Sequence, residues 1–199
     1  MSTVDPITVE VIAAAMASIV DETGETLIRA SHSTNIKERR DCSTALFNAA
    51  GETLCQAEHI PIHLGSFLDL IPHIMRRYPT QDIRPGDAFI GNDAYEGGGT
   101  HLPDIVIAEP IFVGNKLVAW TVNLAHHADF VDRAHAHIYQ EGVRIPPVRL
   151  YRGGELQKDV QDLILLNMQV PKERLSDRRA QMSKNRSCTI SSAIGRDPV

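Results

Sequence analysis

Long hydrophobic runs are missing from this chain, and no stretch approaches the roughly 18 consecutive apolar residues of a membrane-spanning helix. Cysteine is scarce as well. Cys42, Cys55 and Cys188 make an odd count without C-x-x-C spacing, which supports neither a disulfide framework nor a thiolate zinc site. Charge of one sign is not in large excess either. With 20 Lys and Arg against 25 Asp and Glu, the formal net charge is -5, and nothing electrostatic points to nucleic acid. No G-x-x-x-x-G-K-[ST] loop or other convincing nucleotide-binding motif occurs, so ATP is not expected to bind here. The opening MSTVDPITVE is acidic rather than basic and lacks a signal-peptide layout. What is present is 43% apolar residues over 199 positions, enough to bury a substantial core. The expectation is a soluble cytoplasmic protein.

One stretch organises the chemistry: GNDAYEGGGTHLPDIVIAEPIF, Gly91 to Phe112. His101 and Asp104 stand three positions apart, and Pro103 between them disfavours a helix, so the pair converges from a loop that feeds a strand. Imidazole nitrogen with carboxylate oxygen suits a divalent transition metal such as zinc, iron or manganese. Gly97, Gly98 and Gly99 remove side-chain bulk just before the pair. A second donor set, Asn123 to Asp129 with His126 and His127, follows the next apolar segment. If Ile105–Val113 and Lys116–Val122 pair across a Gly114-Asn115 turn, the two sets meet at one end.

Along the chain, Asp5-Pro6 predicts a helix start, and Val9, Ile12, Met16, Ile19, Thr23 and Leu27 give that helix one apolar face, read as core. Thr44–Asn48 and Thr53–Ala57 read as a hairpin that places Asp41 at the mouth of a strand. Cys42 reads as a buried structural thiol. His59, Pro61 and His63 fall on one side of an extended segment, open as ligands, substrate contacts or core histidines. A helix is predicted from Ser66 to Arg77, and another from Asp159 to Met168. The stretch with His135, His137 and Tyr139 reads as extended, and Glu141 and Arg144 beyond it are candidates to orient a substrate. Lys172 to Val199 is polar and arginine-rich, expected to be loosely held or to pack on something outside the chain. The fold class is α/β of the α+β type, with a mixed or mainly antiparallel sheet and flanking helices.

The combination DPITVEVI, S-x-NIKERRDCSTALFN, HIPIHLG, GDAFIGNDAYEGGGTHLPDI, NLAHHAD and IYQEGVRIPPVRLYRGGE resembles the N-terminal part of the hydantoinase B/5-oxoprolinase family. That family takes in B subunits of ATP-dependent N-methylhydantoinase, caprolactamase-type enzymes, and metal-bearing subunits of acetone and acetophenone carboxylases. The resemblance implies a metal site on Asp41, His101, Asp104 and His126, and it selects His126 over His127. It also implies a division of labour. A hydantoinase A-type partner subunit uses ATP to phosphorylate a cyclic amide or imide, and the B-type part completes hydrolysis at a divalent metal. His59, His63, Glu141 and Arg144 are the candidate substrate contacts. Residues 1–185 then form part of a longer family domain, and 186–199 depart from the pattern and read as a disordered tail. Two alternatives stay open: a carboxylase-type subunit, or a truncated remnant that turns nothing over.

Overall fold

A computed structural model of the chain describes residues 5–185 except 59, 64, 67, 97 and 128–136. Helix α1 (Pro6–Ala30) begins as its sequence requires: the Asp5 carboxylate accepts from the Thr8 backbone N–H at 3.1 Å, and proline fills a first-turn position that needs no donor. Only its C-terminal half is core. Val20, Thr23, Gly24, Leu27 and Ile28 are buried, whereas Val9 and Ile12 of the expected apolar face are 52% and 46% exposed. A helix this long spans about 38 Å at 1.5 Å per residue, whereas a seven-residue strand beneath it spans about 23 Å, so one end overhangs.

Among the described residues, seven strands form one open antiparallel sheet in the order β2-β1-β5-β4-β3-β6-β7. They are β1 (Cys42–Asn48), β2 (Thr53–Glu58), β3 (Ala88–Gly91), β4 (Asp104–Val113), β5 (Lys116–His126), β6 (Val148–Arg152) and β7 (Glu155–Leu156). The β1–β2 turn is tied by Asn48 Oδ1, which accepts from the N–H groups of Ala50 and Glu52. Alternation assigns the two faces. Ala45, Phe47, Phe89, Val106, Ala108, Trp120, Val122 and Leu124 pack with helix α3 (Leu70–Arg77). Ile90, Ile105 and Ile107 on the other face pack with Ile164 of α4 (Lys158–Leu166) and Met182 of α5 (Pro171–Asn185). A further short helix, α2 (Thr34–Lys37), leads into β1.

Several sequence expectations are corrected. Helix α3 starts at Leu70 rather than Ser66, because Gly65 holds φ at +80° and Ser66, Leu68 and Asp69 are turn residues before the coil begins. Pro61–His63 is a 3-10 turn, not an extended segment, and His59 lies outside the described residues. Ile138–Gln140 is likewise a 3-10 turn, closed by reciprocal hydrogen bonds between His137 and Gln140. Residues 172–185 are not loosely held: they belong to α5, whose Arg174, Asp177, Arg178 and Gln181 are all buried. Residues 186–199 lie outside the described residues.

Candidate metal centre

Strand register assembles the centre. Pairing of β4 with β5 across Gly114-Asn115 sets Asp104 directly opposite His126. On the other side of β5, the His126 N–H donates to the Asp41 carbonyl at 3.0 Å, one step beyond the Cys42–Ala125 pair. Asp41, His126 and Asp104 therefore form a row across three neighbouring strands. The period-2 alternation puts this row on the face of Ala45, Leu124 and Val106. His101 arrives from the loop before β4. One donor atom each of His101, Asp104 and His126 lie within 4.8 Å of one another, and the two imidazole centroids are 4.8 Å apart.

Asp104 is fully buried and anchored from the glycine-rich loop. The Thr100 backbone N–H and hydroxyl both donate to its Oδ2, at 3.1 and 2.7 Å. Oδ1 is buried and accepts no hydrogen bond of normal geometry, with His101 Nε2 at 3.4 Å. Burial pushes the carboxyl upward, but the His101 ring and the Thr100 donors outweigh it and hold it down at about 2. Gly99 makes the close approach possible: it sits at φ +94°, and a Cβ there would stand 2.7 Å from Asp104 Cβ. On the opposite side, the Asn35 amide nitrogen of α2 lies 2.9 Å from His126 Nδ1 and anchors that ring.

His127, one residue on, faces the other way. It is 2% exposed, with Nε2 donating to Gln181 Oε1 at 3.0 Å. Burial drives its pKa down to about 4, against the Gln181 hydrogen bond and the Asp177 charge, which pull it up. Gln181 also donates to the Ile105 carbonyl and to Asn123 Oδ1, at 2.9 and 2.8 Å. Through it α5 grips the residues next to Asp104 and His126.

The remaining candidates divide. Asp41 is outside the set of three donors, but its Oδ1 lies 3.5 Å from Nε2 of the buried His63, whose Nδ1 is 2.9 Å from Ser43 Oγ. Burial lowers the His63 pKa, opposed by the carboxylates of Asp104 and Asp41, so His63 borders the same centre. Glu141 Oε2 accepts from the Leu102 N–H at 3.3 Å, just behind His101. Arg144 is paired with Asp93 at 2.7 Å. Cys42 is buried, and burial, helped by the Asp41 charge, pushes its thiol up to about 12, which suits a structural role. Sequence reasoning missed Asn35, Ser43, Thr100 and Gln181. Thr100 follows the glycines directly, so its place was within reach. The other three meet the centre only through tertiary packing.

Fold and site together define a class: an antiparallel sheet domain with a His-Asp-His candidate metal triad at its strand ends. The chain belongs to the hydantoinase B/oxoprolinase family, whose sequence signature matches residues 5–191. It is 36% identical over 189 residues to the caprolactamase subunit beta of Pseudomonas jessenii, covering 91% of this chain and 32% of that one. It is 34% identical over 163 residues to the 5-oxoprolinase PfmaA of Pestalotiopsis fici, covering 78% and 12% respectively. The fold matches the crystal structure of ATP-dependent caprolactamase from Pseudomonas jessenii with a TM-score of 0.83 and 34% identity, over 94% of this chain and 33% of that one. A nucleotide-free acetone carboxylase shares the fold, with a TM-score of 0.85 over 98% of this chain and 27% of that one, at 19% identity. The chain thus spans about a third or less of the length of these relatives. Among the described residues no helix is long and apolar enough to cross a membrane.

Proposed function

We propose that this chain carries the metal centre of a hydrolase component that completes ATP-dependent ring opening of a cyclic amide or imide. The observation that carries this reading is the convergence of His101, Asp104 and His126 within 4.8 Å. The donor set fits a divalent ion. Two imidazoles and a carboxylate held ionised suit zinc, iron or manganese, and the buried Asp104 Oδ1 without a normal hydrogen bond is the kind of atom an ion satisfies. Such an ion would supply Lewis acidity toward an oxygen of the substrate.

The chain's own residues do the holding. Thr100 fixes Asp104 through Oδ2 and leaves Oδ1 toward His101. Asn35 anchors the His126 ring. Asp41, at the end of the same strand row with His63 Nε2 3.5 Å from its Oδ1, would be the fourth residue to hold the ion. The ring-opening chemistry follows relatives named caprolactamase and 5-oxoprolinase. ATP belongs to a separate hydantoinase A-type subunit in a hetero-oligomer, a reading supported by the word subunit in the caprolactamase relative's name.

The test is metal content per chain by elemental analysis, beside a His101→Ala variant. About one ion per chain is expected, lost in the variant. No ion after reconstitution with zinc, iron and manganese in turn would sink the reading. Asp41→Asn is expected to weaken metal affinity by about tenfold or more, measured by competition with a chelating dye.

A further inference from the structure

Beside the triad stands a second imidazole–carboxylate pair, His63 and Asp41, at the β1 end of the strand row. Neither belongs to the three donors that lie within 4.8 Å of one another. The backbone under the His63 ring is pinned. Its carbonyl closes the turn after Pro61–His63, accepting from the Ser66 hydroxyl at 2.8 Å and from the Gln56 side-chain amide at 3.3 Å. The residue is 2% exposed, and the charges of Asp104, Asp41, His126 and His101 all act on it. Its ring therefore sits among the donors of the centre rather than in solvent.

Ser43 sets the tautomer of that ring. It is fully buried, and its hydroxyl donates to the Cys42 carbonyl at 2.8 Å. A hydroxyl has one proton to give, so toward His63 Nδ1, 2.9 Å away, Ser43 Oγ is the acceptor and Nδ1 carries the hydrogen. Nε2 of the neutral ring is then a bare lone pair. Asp41 Oδ1 lies 3.5 Å from it, beyond the roughly 2.7–3.2 Å of an N–H···O bond. A lone pair and a carboxylate oxygen repel unless a cation stands between them. Two donors about 2.1 Å from one ion, at angles of about 90–120°, are about 3.0–3.6 Å apart. The His63–Asp41 separation falls in that range, as does the 3.4 Å between His101 Nε2 and Asp104 Oδ1.

We propose that His63 is a further donor to the ion, binding through Nε2 beside Asp41, and that Ser43 is the positioning residue that fixes its ring. The proposal rests on the metal-centre reading above and adds to its donor set. Ligating imidazoles almost always donate their other ring N–H to a nearby acceptor, and Ser43 Oγ occupies that place. The donors then come from four segments: the mouth of β1, the turn after β2, the loop into β4 and the end of β5.

The test is X-ray absorption at the edge of whichever of zinc, iron and manganese the chain retains, comparing the intact chain with His63→Gln. Metal content and circular dichroism are measured on the same samples. Imidazole rings scatter the photoelectron in a recognisable pattern, so the number of rings on the ion is read without reference to activity. The intact chain is expected to show three imidazoles, and folded, metal-bearing His63→Gln two. Ser43→Ala is expected to weaken metal affinity by about tenfold, measured by competition with a chelating dye. Two imidazoles in the intact chain, three in His63→Gln, or an unchanged affinity in Ser43→Ala overturns the proposal and leaves the triad standing. Where His63→Gln does not fold, the ring count of the intact chain and the Ser43→Ala affinity decide. No ion bound in any sample overturns the metal-centre reading and this proposal with it.

Discussion

Gly99 is where one added carbon does the most local damage. At φ +94°, with a virtual Cβ 2.7 Å from Asp104 Cβ, alanine strains the backbone and pushes the carboxylate off its Thr100 donors. Gly99→Ala is expected to destabilise the fold by about 1–3 kcal/mol and to weaken metal binding, read from urea midpoints and metal titration. His127 gives a pH signature. Its folded pKa, about 4, lies below the ordinary 6.5, so the folded state resists a proton that the unfolded chain takes up. Its contribution to stability is therefore intact above 6.5 and is lost as pH falls from 6.5 toward 4. Urea midpoints at pH 7.5 and 5 should show that fall, and His127→Leu should flatten it; an equal fall in the variant would assign it to other groups.

Helix α5 is held by polar bonds in a dry setting, which makes its cost of damage specific. Gln181→Leu removes bonds to Ile105, Asn123 and His127 and leaves those groups buried, an expected loss of about 1–3 kcal/mol seen in thermal or urea unfolding. That helix also marks the limit of reading by pattern. Arg174, Asp177, Arg178 and Gln181 look like a solvated face in one dimension, and it is the partners from the segment after α1, from α4, from the Gln169 carbonyl and from β4 and β5 that make their burial tolerable. Asp177 shows how: it accepts the N–H groups of His32 and Ser33, 145 and 144 positions away. Elements with local causes were legible. The Asp5-Pro6 cap, the hairpin around Asn48 and Gly51, and the Gly114-Asn115 turn all carry their own instructions. The turn is why His101 and Asp104 could be placed in advance at the same end as His126 and His127, whereas the choice of His126 came from the family resemblance. Asp41 had a local reason to sit at a strand mouth, but its place beside His126 depends on β1 choosing β5 as neighbour, which no turn encodes.

On the scale of the whole molecule, α1 joins two unlike halves. Leu27 is 1% exposed in a core cluster, whereas Ile7 and Val11 are 73% and 63% exposed. Leu27→Ala is expected to cost about 2–5 kcal/mol, and the double change Ile7→Lys, Val11→Lys to stay within about 0.5 kcal/mol per site, compared by thermal unfolding. The row of Asp41, His126 and Asp104 has a consequence of a different kind. Asp104 and His126 share one hairpin, but Asp41 lies far from both along the chain, so an ion bound across all three closes a long loop of the unfolded polypeptide much as a covalent cross-link does. Binding confined to the folded state then makes the unfolding temperature rise with the logarithm of free metal. The centre would act as a buckle, fastening the middle of the sheet from one end, and a chelator should loosen β1, β4 and β5 together as read by hydrogen exchange.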